Sequence, residues 1–102
     1  MIRHIVLFRF RPEVDEATIA AMFAEVAALS GEIDGLIAVT AGRSASPERI
    51  ERGYHHVMVV DFADWAALAR YQADPRHRAT GAKFVAAAIG GIDGILVVDY
   101  AC

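Results

Sequence analysis

The chain contains a single cysteine, a single lysine, a single tryptophan and no asparagine, and several functions fall away with them. The one cysteine, Cys102, is the last residue, so no intramolecular disulfide can form. With one lysine and nine scattered arginines, and a net charge of −3, no basic run exists that could follow a phosphate backbone. Nucleic acid is therefore excluded as a partner. No apolar run approaches the ~20 residues of a membrane-crossing helix. Nor is there a signal-peptide pattern before the strand-like start, and the expected location is cytoplasmic. Phosphate-binding glycine loops and Ser or Cys nucleophile motifs are absent too. No His-x₃₋₅-His pair or His-Glu-x-x-His suggests a metal.

What is abundant is apolar residue: 56% of the 102 positions. A chain of this length makes one domain with one core. So high an apolar share points either to a generous core or to apolar surface kept for a partner. Ile2–Phe10 reads as a strand, with Ile2, His4, Val6, Phe8 and Phe10 on one face and Arg3, Ile5, Leu7 and Arg9 on the other. Pro12 ends it. Asp15 caps a helix whose stripe is Ile19, Met22, Phe23, Val26 and Leu29, and Val14 with Ile19 has the spacing of a hydrophobic staple. Ser30-Gly31 stops that helix. Strands follow at Leu36–Ala41 and Tyr54–Phe62, joined by a polar connection from Gly42 to Gly53. Asp64 caps a helix over Trp65–Gln72. Asp74-Pro75 breaks the chain and starts another, about Arg76 to Ile89, and Ile95–Tyr100 is the last strand.

The order β-α-β-β-α-β, with the second helix in two pieces, is the ferredoxin-like α+β arrangement of one antiparallel sheet with helices on one face. The opposite face is then expected to carry Val6, Phe8, Met58 and Val60. An uncovered apolar sheet of several hundred Å² is rare on a monomer, so two sheets packing face to face, a homodimeric α+β barrel, are expected.

Arg3-His4-Ile5-Val6-Leu7-Phe8, Gly53-Tyr54, Tyr71-Gln72-Ala73-Asp74-Pro75-Arg76-His77 and Val97-Val98-Asp99-Tyr100 together resemble the stress-responsive dimeric α/β-barrel (Dabb) family over essentially the whole chain. The family often has His before that proline, where Asp74 stands here. The resemblance implies a dimer whose sheets form a barrel, and no single activity. One branch, the plant polyketide cyclases of the olivetolic acid cyclase kind, closes rings by aldol condensation without cofactor or metal. Its catalytic Tyr and His correspond to Tyr71 and His77, and two pocket histidines to His4 and His56. Some members carry Mg²⁺ near the loop here spanning Glu32–Ala38. A related barrel group, the haem-degrading monooxygenases, uses Asn, Trp and His. The lack of Asn and the placing of Trp65 at a helix start argue against that chemistry.

At the residues themselves, His77 falls near the start of the helix begun by Pro75, where the dipole favours a neutral imidazole able to accept a proton. Tyr71 lies across the break. His4 and His56 share a strand face with apolar neighbours, as polar anchors in an apolar cavity would, whereas His55 has the opposite parity. Asp74 brings a carboxylate close to His77, and its charge opposes the dipole. Three functions compete: a cofactor-free lyase or cyclase acting on a carbonyl compound through His77 and Tyr71, a barrel that binds a small apolar ligand unchanged, and a structural homodimer.

Overall fold

The alternating apolar pattern at the start of the chain becomes β1, Ile2–Phe8, in the computed structural model, which describes residues 1–102. After it come α1 (Glu16–Ala27), β2 (Leu36–Arg43), β3 (His56–Phe62), α2 (Trp65–Ala73), α3 (Pro75–Ala87), a 3-10 turn at Gly91–Gly94 and β4 (Ile95–Ala101). The four strands make one antiparallel sheet in the order β2-β3-β1-β4. This is the ferredoxin-like fold, with the second helix divided at Asp74-Pro75.

Local chemistry sets the helix starts. Asp15, Asp64 and Asp74 each hold extended backbone and accept a hydrogen bond from a first-turn N–H, of Thr18 (2.8 Å), Ala67 (2.9 Å) and Arg76 (2.8 Å). Pro75 occupies the first position of α3, where a missing N–H costs nothing.

Strand ends differ from the sequence reading for identifiable reasons. β1 stops at Phe8 because Arg9 and Phe10 leave β3 and pair with the segment after α3, through Ile89 N–H to Arg9 O (2.8 Å) and a Phe10–Ala88 bridge. β2 runs on to Arg43, into the expected polar connection, because Arg43 pairs with His56. β3 begins at His56, since Arg52 and Gly53 at positive φ form a turn that keeps Tyr54 out of the ladder. Gly35, at φ +86°, lets α2 approach the loop before β2: a Cβ there would lie 2.5 Å from that of Ala67.

The faces of the sheet require a correction. Ile2, His4, Val6 and Phe8 on β1, with His56, Met58, Val60 and Phe62 on β3, are buried beneath the helices. Phe8 packs 5.7 Å from Phe23 of α1 and 4.7 Å from Phe84 of α3, ring centre to ring centre. Val6, Phe8, Met58 and Val60 therefore belong to the protomer's core, not to its uncovered face. That face is the other parity: Ile5 pairs with Val59 and Val98, and Leu7 with Val57 and Leu96. At one end Arg3 makes a two-pronged ion pair with Asp61, at 2.9 and 3.1 Å. Both sets of residues are apolar, and the helices could have covered either.

Candidate functional site

The break at Asp74-Pro75 folds α3 back so that Tyr71, in the last turn of α2, meets His77 in the first turn of α3. Their ring centres lie 3.9 Å apart. His4, on the helix-covered face of β1, stands edge-on to Tyr71 at 6.0 Å. The three line one cavity of ≈ 260 Å³ between β1, β4 and α3, otherwise walled mainly by apolar side chains such as Val6, Phe8, Phe84 and Val97. Gly81 lies on its wall, and a Cβ added there would meet nothing within 4 Å.

Two polar atoms on residues that line this cavity have no partner. The Tyr71 hydroxyl and His77 Nδ1 are both buried without a hydrogen bond. Each such group costs about 1–3 kcal/mol, so both call for a ligand or ordered water. Burial raises the Tyr71 phenol well above its ordinary value, so it stays protonated. Burial is also the main reason that the His77 pKa falls below 6.5, with His4 adding to the effect. The Gln72 carbonyl and Asp74 pull the other way and do not win. The neutral imidazole is the form expected at a helix start, but its main cause here is burial.

Asp74 acts less on His77 than its position suggests. Its carboxylate is held by the Arg76 N–H (2.8 Å) and by the Arg76 guanidinium (2.9 and 3.0 Å). That pairing lowers its own pKa to about 2. Because His77 is harder to protonate in the folded protein than in the unfolded chain, the unfolded state binds more protons just below pH 6.5. The His77 contribution to stability is thus complete above pH 6.5 and is lost as pH falls through the folded value. Urea midpoints measured from pH 7.5 to 5 should fall less in His77→Gln than in wild type, and parallel curves would contradict this.

A fourth residue joins the site that sequence reasoning missed. Asp99 of β4 pairs with His4 in the sheet register, and its carboxylate accepts a 2.6 Å hydrogen bond from His4 Nδ1. The proton is assigned to Nδ1 because a carboxylate faces it. Its parity with Ile95 and Val97 was legible in the sequence, but the β1–β4 register that sets it beside His4 was not.

His56 does not join them. It pairs with Phe8, whereas His4 pairs with Val60, which puts it four residues, roughly 14 Å, along the sheet from His4. Its Nε2 bonds to the Glu16 carboxylate at 3.0 and 3.1 Å, and Arg43 reaches the same carboxylate at 2.7 Å. Phe10 and Phe23 pack around the ring, at 5.2 and 6.5 Å. It lines a separate cavity of ≈ 370 Å³ between α1 and the β2–β3 hairpin. Shared parity was not shared place.

Around Glu32–Ala38, Glu32 and Asp34 face Arg76 and Arg70 at 3.6 and 3.8 Å. No three His, Cys, Asp or Glu side chains gather as a metal cluster, and no helix is long and apolar enough to cross a membrane.

The family model described as the stress responsive A/B barrel domain matches residues 2–102. Curated proteins offer no match. Among solved structures, a dimeric ferredoxin-like protein from Jannaschia sp. CCS1 is 31% identical, with a TM-score of 0.92 over 99% of this chain and 98% of its own. An Arabidopsis thaliana protein is 27% identical, with a TM-score of 0.87 over 100% of this chain and 95% of its own. The hydroxynitrile lyase of Passiflora edulis, 21% identical, shares the fold, with a TM-score of 0.82 over 97% and 90%.

Proposed function

The chain belongs to the stress-responsive A/B barrel domain family, and from that premise we propose that it is a homodimer whose protomers each bind a small carbonyl compound and act on it by cofactor-free acid–base chemistry. The observation that carries this reading is the pair of unpartnered buried atoms, Tyr71 hydroxyl and His77 Nδ1, on two residues that line one apolar cavity. Groups left unsatisfied in the free protein are groups a ligand can satisfy.

The roles follow from the protonation states. Neutral His77 takes a proton from the carbon beside the carbonyl, and the electron pair moves onto the carbonyl oxygen. Tyr71, still protonated, donates its hydrogen bond to that oxygen as charge develops. Asp99 holds His4 in the tautomer whose Nε2 can accept a proton, which makes His4 a relay beside the pair. The resulting enolate either attacks a second carbonyl carbon, forming a C–C bond and an alkoxide, as in a cyclase, or forms a C=C bond as the bond to a leaving group breaks, as in a lyase. In both, protonated His77 returns its proton, to the alkoxide or to the leaving group. The cavity volume falls below the ~300–1,000 Å³ of pockets for drug-sized ligands, which favours a compact compound over a long polyketide chain. His56 takes no part in this site.

The dimer reading rests on the uncovered face around Ile5, Leu7, Val57, Val59, Leu96 and Val98, and on the dimeric Jannaschia protein. Such an interface should reach the ~2,000 Å² of obligate dimers and be isologous.

A screen of acetophenone, acetylacetone and small β-keto thioesters, read by melting temperature and by product formation, tests the reading. Binding with turnover supports it. Melting shifts without turnover favour the binding barrel instead, and no shift with any compound removes the pocket function.

A further inference from the structure

We infer that the second copy of the chain does more than cover the open sheet face: it reaches over the edge of β4 and closes the mouth of the His4–Tyr71–His77 cavity, which is incomplete in a single protomer. The inference rests on the proposed pocket and dimer, and it adds that the two are one assembly.

β4 carries the argument. It is an edge strand, paired only to β1. Leu96, Val98 and Tyr100 lie on the open face, while Val97, between them, lines the cavity. All four are exposed: Val98 at 56% belongs to the proposed interface, and Val97 at 52% to the pocket wall. Apolar surface therefore runs without interruption from the open face, across the strand, to the pocket. There it meets Ile92, exposed at 66%, and Val85, both lining the same cavity.

An unprotected apolar edge is a surface for another chain to cover, and soluble proteins usually defend such edges with charge, proline or a bulge. The two edges of this sheet differ in just this respect. β2 has a register shift at Ile37 and ends in Thr40, Ala41, Gly42 and Arg43. β4 has no bulge, and its one charged side chain, Asp99, is turned to His4 and cannot guard the edge. A partner seated on the open face is contiguous with this edge, and two-fold symmetry would close both cavities by the same contact. Closure also serves the chemistry, because excluding water strengthens the hydrogen bonds of Tyr71 and His77 to a bound carbonyl.

The test reads cover directly and needs no ligand. In a Cys102→Ser background, Val97→Cys is compared with Ser30→Cys, whose side chain lies exposed beyond the end of α1. Alkylation by iodoacetamide is followed in the native dimer and in urea, and the ratio of the two rates gives the protection of each thiol. The inference expects the Val97→Cys thiol to be protected about ten-fold or more beyond the Ser30→Cys thiol. The excess should vanish when Val59→Asp is added, or on dilution to the monomer where that combination does not fold. Equal protection in a chain of twice 11.0 kDa overturns the inference, as does a monomer at every concentration. Failure of the pocket reading would appear elsewhere, as the absence of any carbonyl ligand, with the thiol result unaffected.

Discussion

Aspartate at Val59 is expected to give a folded monomer, while aspartate at Val60, the next residue along, abolishes folding. Val60 is completely buried beneath the helices, opposite His4 in the sheet. The one polar neighbour, His4, is already bonded to Asp99, and a buried charge without compensation costs several kcal/mol, ~3–5 where measured. That is most of the stability at the lower end of a small domain's ~5–15 kcal/mol. Val59 faces the other way, between Ile5 and Thr40, and is half-buried in the protomer. A charge there meets water in the monomer and loses it only when a second sheet docks. Circular dichroism should show native helix and strand for Val59→Asp and their loss for Val60→Asp. Light scattering should fall from twice the chain mass of 11.0 kDa to once for Val59→Asp. A Val59→Asp protein that stays dimeric would place the interface elsewhere. Equal unfolding of the two would mean that the faces are not distinguished at all.

These adjacent valines show what the sequence can and cannot say. Period-two alternation sorted β1 and β3 into correct face sets, and Asp15, Asp64 and Asp74 marked the helix starts, because strand pleat and N-capping are local. Which set the helices cover is not local. Ile5, Leu7, Val57 and Val59 are as apolar as Val6, Phe8, Met58 and Val60, so a chain with both faces covered hides the answer. The site divides in the same way. Tyr71 and His77 are six residues apart across a turn dictated by Asp74-Pro75, so their meeting was legible from chain punctuation. His4 and His56 depended on strand register. Only the pairing of Phe8 with His56 revealed that they sit at different places on one face. Asp99 lay hidden for a related reason: its role exists only when β4 lies beside β1 and sets it next to His4.

For Tyr71→Phe, stability and activity should move in opposite directions. In the wild type the hydroxyl is buried with no partner, so its removal relieves an unsatisfied group and leaves the ring packed against Phe62 and His77. A rise in stability of about 1 kcal/mol is expected, within the ~1–3 kcal/mol that such groups cost. If the hydroxyl instead served the fold through ordered water, its loss would lower stability. Turnover of a carbonyl compound that the protein accepts should fall, since the donor to the developing oxyanion is gone; one such donor is worth ~10²–10³-fold. His77→Ala should remove the base and cost ~10²–10⁴-fold. Because burial depresses its pKa, the wild-type rate should rise with pH through a midpoint below 6.5 and then level off, and that limb should disappear in His77→Ala. The double variant should be scarcely worse than His77→Ala, because Tyr71 stabilises an enolate that forms only once the proton has left. Turnover that survives His77→Ala would exclude it as the base. A Tyr71→Phe protein that binds and turns over like wild type would leave the unpartnered hydroxyl without a function, and the chemistry would then rest on His77 with His4 and Asp99.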